Sequence, residues 1–203
     1  MKRVRIKQRH IYQHILMLCE GDTEYIYLNG LKQSLGRDRQ RGIKIEIETF
    51  KKHDGLSLIK EAVKRVIKAR KEGNPYTSIW AVFDHDNGAN IREAIDLSMK
   101  KGINIGYSKI SIEVWFILHF RRTAQVFPNG EAAETFLRTN HLNTYHKTKT
   151  DHFTTLKTAL PTAIVNATWL RQQKQFELDG GTGLHEIDPY TTMDELILFI
   201  QGI

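Results

Sequence analysis

Ile15-Leu-Met-Leu-Cys-Glu-Gly-Asp-Thr-Glu24 is an unbroken apolar run that stops at a carboxylate, a glycine and a helix-start signal. A buried strand delivers an acidic residue to a cleft in this way. A second apolar run, Ile79-Trp-Ala-Val-Phe83, ends in Asp84-His-Asp86. Two strand ends therefore offer carboxylates, and if the ends meet, Glu20, Asp84 and Asp86 converge. A hard cation such as magnesium or manganese requires converging carboxylate oxygens of this kind. Residues two apart in an extended segment project to one side, so Asp84 and Asp86 can share the cleft. Taken singly, each residue also fits a plainer role. Asp86 starts a turn with Asn87-Gly88, and Glu20 or Asp22 caps a helix.

Outward from the first strand, residues 22–35 carry Tyr25, Leu28, Leu31 and Leu35 at helical spacing, with Gly36 as a stop. Residues 43–49 alternate apolar and polar, the mark of a strand with one wet face near a sheet edge. Residues 54–71 predict an amphipathic helix with Leu56, Ile59, Val63, Val66 and Ile67 inward. Residues 78–83 are apolar on both faces, which suits a central strand. A helix to Met99 follows, with Ile91, Ala94, Ile95 and Met99 on one side, and then a strand over 103–107. Residues 112–120 are apolar nearly all round and predict a buried helix.

Strands alternating with helices imply parallel pairing through right-handed crossovers. The expected fold is a doubly wound, Rossmann-like α/β core over residues 14–125, its mainly parallel sheet flanked by helices. In such sheets ligands sit beyond the carboxyl ends of the strands, where both acidic clusters lie. Residues 126–203 form a mostly helical C-terminal extension packed on the core. Asn129 caps one helix, Pro161 starts another, and Thr192-Met-Asp-Glu195 reads as a capping box. Residues 1–13, with five Lys or Arg, read as a basic arm or edge strand.

The 203 residues suffice for one well-filled α/β domain, and a hydrophobic share of 40% supplies a core. The net charge of +7 favours an anionic partner without choosing among nucleic acid, nucleotide and membrane surface. The single cysteine, Cys19, excludes an intrachain disulfide and a cysteine-rich zinc site, and points to a cytoplasmic protein. No signal peptide or membrane span is expected, and the oligomeric state is not legible.

Other residues carry chemistry as well. Glu24, in a first helical turn, is either a dipole-stabilised surface charge or part of the site. Glu113 interrupts an apolar helix. A buried carboxylate needs a cation, either a metal or a partner such as Lys109 or an arginine. His141, His146 and His152 lack the one-face spacing of a zinc motif and read as a basic polar loop. Its lysines, Lys147 and Lys149, could hold a phosphate backbone together with His146 and Lys109. His85 is a candidate base or a solvent-facing spacer. Gly180-Gly-Thr-Gly183 lacks the lysine of a phosphate-binding loop.

Cys19-Glu-Gly followed by Thr23-Glu24, and then Val82-Phe-Asp-His-Asp86, resembles the glutamate and paired-aspartate motifs of the Toprim fold. Further landmarks resemble one branch in particular, the RloB-like proteins. They are Ser108, Glu113-Val-Trp115, Leu118-His-Phe120, Tyr145-His-Lys147 and Asp188-Pro-Tyr-Thr-Thr192. The resemblance implies a Toprim-type, metal-dependent nuclease in a family linked to bacterial restriction and anti-phage loci, with a partner protein of such a locus as an expected companion. It implies Glu20 as general base or acid and metal ligand, Asp84 and Asp86 as magnesium ligands, and Glu24 and Glu113 as supporting ligands. It implies no tyrosine nucleophile, which favours hydrolysis of DNA or RNA. Two alternatives remain: a nucleic-acid-binding or regulatory subunit without catalysis, and a receiver-like phosphate switch, which would need a lysine such as Lys109 near the aspartates.

Overall fold

The computed structural model describes residues 13–36, 42–50, 54–85, 90–149 and 151–202. The basic arm except Gln13, the turn at Asn87-Gly88 and Asp86 itself lie outside the described residues. Strand β1 (Gln13–Cys19) leads into α1 (Asp22–Ser34), then β2 (Ile43–Thr49), α2 (Gly55–Lys71), β3 (Ser78–His85), α3 (Ile91–Lys101) and β4 (Asn104–Lys109). The short α4 (Glu113–Ile117) follows, then α5 (Gly130–Asn140) and α6 (His152–Leu156). A 3-10 turn (Lys157–Ala159), α7 (Leu160–Asp179) and α8 (Met193–Gly202) complete the chain.

The four strands form one all-parallel sheet in the order β2-β1-β3-β4. Alternate residues of the apolar runs divide between its faces. Ile15, Met17, Cys19, Trp80 and Val82 share a core with α1, α4 and the C-terminal helices. Leu16, Leu18, Ile79, Ala81 and Phe83 share another with α2 and α3. Helices therefore cover both faces, and the fold is a doubly wound α/β sheet with a helical C-terminal part. Each fully buried aliphatic side chain, such as Leu16 at 0% exposure, contributes about 1.5–3 kcal/mol. From β1 the chain crosses to one side of the sheet, and from β3 to the other. The switch point lies between the carboxyl ends of these two neighbours.

Local signals behave as their chemistry dictates, with four differences. Asp54 caps α2 by accepting from the Ser57 N–H at 2.8 Å, and Asn129 caps α5 from Ala132 at 2.9 Å. Gly102 ends α3 in the left-handed region, at φ 65°. The buried face of α1, however, is Thr23, Glu24, Tyr27, Leu28 and Leu31, whereas Tyr25 is 37% exposed. The helix is rolled by the close packing of Tyr27 against Phe116 and Phe153. Ile67 and Met99, expected inward, are exposed, because each lies at the far end of its helix stripe. The Thr192 hydroxyl does not cap α8: it accepts from the Tyr107 N–H and donates to the Ile105 carbonyl, both at 2.9 Å. With the Thr192 N–H on Tyr107 O and the Lys109 N–H on Tyr190 O, residues 190–192 cover the outer edge of β4.

Candidate active site

At the switch point the Glu20 N–H donates to Val82 O at 2.9 Å, extending the β1–β3 ladder one residue beyond Cys19. Gly21 then turns the chain into α1. A Cβ at Gly21 would stand 2.6 Å from Glu24 Oε2, so glycine there leaves room for the Glu24 carboxylate to fold back over the helix start. The roll of α1 sinks this side chain to 6% exposure. Asp84 leaves β3 opposite Ser108 of β4 and receives the Ile112 N–H. Glu113, the first residue of α4, is fully buried beneath them.

A cleft of about 320 Å³ opens here, lined by Glu20, Asp22, Glu24, Asp84, Ser111 and Lys147 among others. Its far wall is a strap running from Tyr145 to Thr148. The Thr23 hydroxyl donates to the Lys147 carbonyl at 2.8 Å, and His152 Nε2 lies 3.2 Å from the same oxygen. The Tyr145 hydroxyl donates to Glu113 Oε1 at 2.7 Å, and Lys147 Nζ lies 3.7 Å from that oxygen.

Three carboxylates thus crowd one low-dielectric spot. Burial, then repulsion from Glu24 and Glu113, raises the Asp84 carboxyl well above its ordinary range, against the pull of the Ile112 N–H and Lys147. Burial also raises Glu24, and Glu113 adds to it; its own backbone N–H, a bond to Asp84 and Lys147 oppose the shift. Burial alone would lower the Lys147 ammonium, but Glu113 and Asp84 outweigh it and the net shift is upward. Cys19, raised by burial and by Glu24, is held as an inert thiol.

The expected site residues separate into groups. Glu20, Glu24 and Asp84 meet at the cleft, with Glu113 beneath it, and Lys147 is the one phosphate-binding candidate that lines it. His146 and Lys149 are exposed and line no part of it. Lys109 does not partner Glu113: its Nζ donates to the His185 carbonyl at 2.8 Å and lies 3.0 Å from His85 Nδ1. The strand pleat sends Asp84 and His85 to opposite faces, and Lys109 follows His85. His85, which also meets the Tyr107 hydroxyl at 2.9 Å, is neither a spacer nor at the carboxylates. His152 is fully buried against Tyr145 and Phe116 rather than part of a polar loop. Tyr145, Thr23 and Ser111 are the site residues that sequence reasoning passed over as chemistry. Thr23 and Tyr145 were hinted at by their places in the ordered motifs, and Ser111 by nothing.

Among the described residues no three His, Cys, Asp or Glu side chains form a ready metal-ligand cluster. The donor set nonetheless suits magnesium, which keeps several waters and takes only one or two carboxylates from the protein. Glu24 Oε2 is buried without a hydrogen-bond partner, and the repulsion that Glu24 and Glu113 exert on Asp84 favours a cation beside these acids.

Fold and cleft together define a doubly wound α/β protein with an acidic cleft at its topological switch point. The chain belongs to the RloB-like protein family, whose model matches residues 15–200. No curated protein matches the sequence. No helix among the described residues is long and apolar enough to cross a membrane.

Proposed function

We propose that this protein is a magnesium- or manganese-dependent nuclease hydrolysing phosphodiesters of DNA or RNA. The observation that carries this reading is the meeting of Glu20, Glu24 and Asp84 at one switch-point cleft, with Glu113 buried behind it and Lys147 on its wall. Asp84 and Glu24, joined by Asp86, would hold the cation. Glu20, half-exposed beside Asp84, takes the proton of the attacking water and returns one to the leaving oxygen. A bound magnesium ion supplies charge neutralisation at the phosphoryl oxygen and a more acidic water. Lys147 meets a phosphate oxygen in the cleft, while the exposed His146 and Lys149 serve phosphates further along the backbone. We further propose a cytoplasmic role in bacterial defence against phage, alongside a partner protein of the same locus, as the resemblance drawn from the motifs implies.

A receiver-like switch is less well supported, since Lys109, its required lysine, bonds His85 and the His185 carbonyl rather than Asp84. The test incubates purified protein with mixed DNA and RNA, in magnesium, manganese or chelator, beside Asp84→Ala. Cleavage by the wild type in metal alone is expected, with loss in the variant. Salt-sensitive binding without cleavage under every condition would identify a binding subunit instead.

A further inference from the structure

Glu113 differs from the other carboxylates in what it touches. Its side chain is fully buried and takes no part in lining the cleft, whereas the Lys147 side chain is 46% exposed and does. Its Oε1 is occupied from one side by the Tyr145 hydroxyl at 2.7 Å and approached from another by Lys147 Nζ at 3.7 Å. The strap between these two residues is pinned at its backbone as well, through the Lys147 carbonyl and the Thr23 hydroxyl. An ammonium has three donors, and turning one toward Glu113 leaves the others for the cleft. A lysine on a flexible stem would otherwise spread its charge through solvent. Glu113 Oε2 has no hydrogen-bond partner among the described residues, so the contacts described for this carboxylate are those of Oε1 with the strap.

We propose that Glu113 is a positioning residue for Lys147 rather than a metal ligand: together with Tyr145 it holds the ammonium toward the cleft, where it meets a substrate phosphate oxygen. The inference rests on the metal-dependent phosphodiester reading and assigns a division of labour within it. Glu24 and Asp84 face the metal, while Glu113 faces the strap.

The experiment measures two quantities for wild type, Glu113→Gln, Lys147→Met and the double variant. One is manganese affinity by calorimetry without nucleic acid. The other is the affinity and salt slope for short 5′-phosphorylated DNA and RNA oligonucleotides with manganese. Lys147→Met alone should weaken oligonucleotide binding about tenfold or more and flatten the salt slope by about 0.7. In the Glu113→Gln background the same change should cost less than about threefold, because the ammonium is no longer held in place. Manganese affinity of Glu113→Gln should stay within about fivefold of wild type, the effect of a lost nearby charge.

An undiminished cost of Lys147→Met in both backgrounds overturns the inference. So does a loss of manganese affinity of more than about tenfold in Glu113→Gln, which would make it a ligand. Should Glu113→Gln not fold, Tyr145→Phe takes its place in the cycle, with the same expectation for the coupling. A wild type that binds no manganese refutes the metal-dependent reading itself, and the inference falls with it; manganese binding without coupling refutes the inference alone.

Discussion

Removing the Tyr145 hydroxyl probes the strap most directly. Glu113 is 0% exposed, and its closest contact is the 2.7 Å hydrogen bond from Tyr145. In Tyr145→Phe the ring and its packing against Phe116 and His152 remain, so the change isolates one hydrogen bond to a buried acid. Such a bond contributes about 1.5–3 kcal/mol when its partner is charged. The remaining cation, Lys147 at 3.7 Å, is too distant to replace it. We expect a loss of about 2–3 kcal/mol, near the upper end because Glu113 Oε2 also lacks a partner. For a chain of this size that lowers Tm by roughly 5–10 °C. Calorimetry and urea unfolding at neutral pH supply the measurement. Repeating it in Glu113→Gln should shrink the loss to below about 1 kcal/mol, since a neutral amide is cheaper to leave half-bonded. A Tyr145→Phe protein within about 0.5 kcal/mol of wild type would refute the reasoning. An equal loss in both backgrounds would do the same.

Other consequences are equally open to measurement. Asp84 is held above the ordinary carboxylate range, so the folded state keeps a proton that the unfolded chain releases as pH rises. Metal-free stability therefore falls as pH climbs from the ordinary carboxylate range upward. Asp84→Asn should melt higher than wild type at neutral pH without metal and about equally near pH 4. Saturating magnesium should raise the wild-type Tm and leave that of Asp84→Asn nearly unmoved, as thermal scans with and without chelator will show. Gly30 lies where α1 meets α6: a Cβ there would stand 2.6 Å from Phe153 Cβ and 2.7 Å from Asp151 Oδ1. Gly30→Ala should therefore lose about 1–3 kcal/mol in denaturant unfolding.

The sheet was legible because strand patterning is local. The apolar run before Glu20, the alternation in residues 43–49 and the apolar run before Asp84 each carry their own signature, and the observed strands match them within two residues. Helix facing was less legible. Periodicity in α1 admits a face through Tyr25 or one through Tyr27, and what decides between them is Phe116 and Phe153, nearly ninety residues or more away. The same ambiguity left Glu24 open between a surface charge and a site residue, and its place is the lining of the cleft. Glu113 was legible as a buried acid that needs company. Its company, Tyr145 and Lys147, was not, because nothing within α4 encodes which distant loop will fold over it. Lys109 was the nearer lysine in sequence, but strand alternation sends it to the wrong face.

The contact between Thr23 and Lys147 spans 124 residues of chain. On a ribosome, the sheet strands that carry Glu20 and Asp84 emerge well before Tyr145 and Lys147 do. A nascent chain ending before the strap has Glu24, Asp84 and Glu113 but neither the hydroxyl nor the ammonium that steadies them, and contacts of such long sequence separation form late. The acids are thus made before their counter-charge, and the cleft cannot assemble until synthesis has passed Lys147.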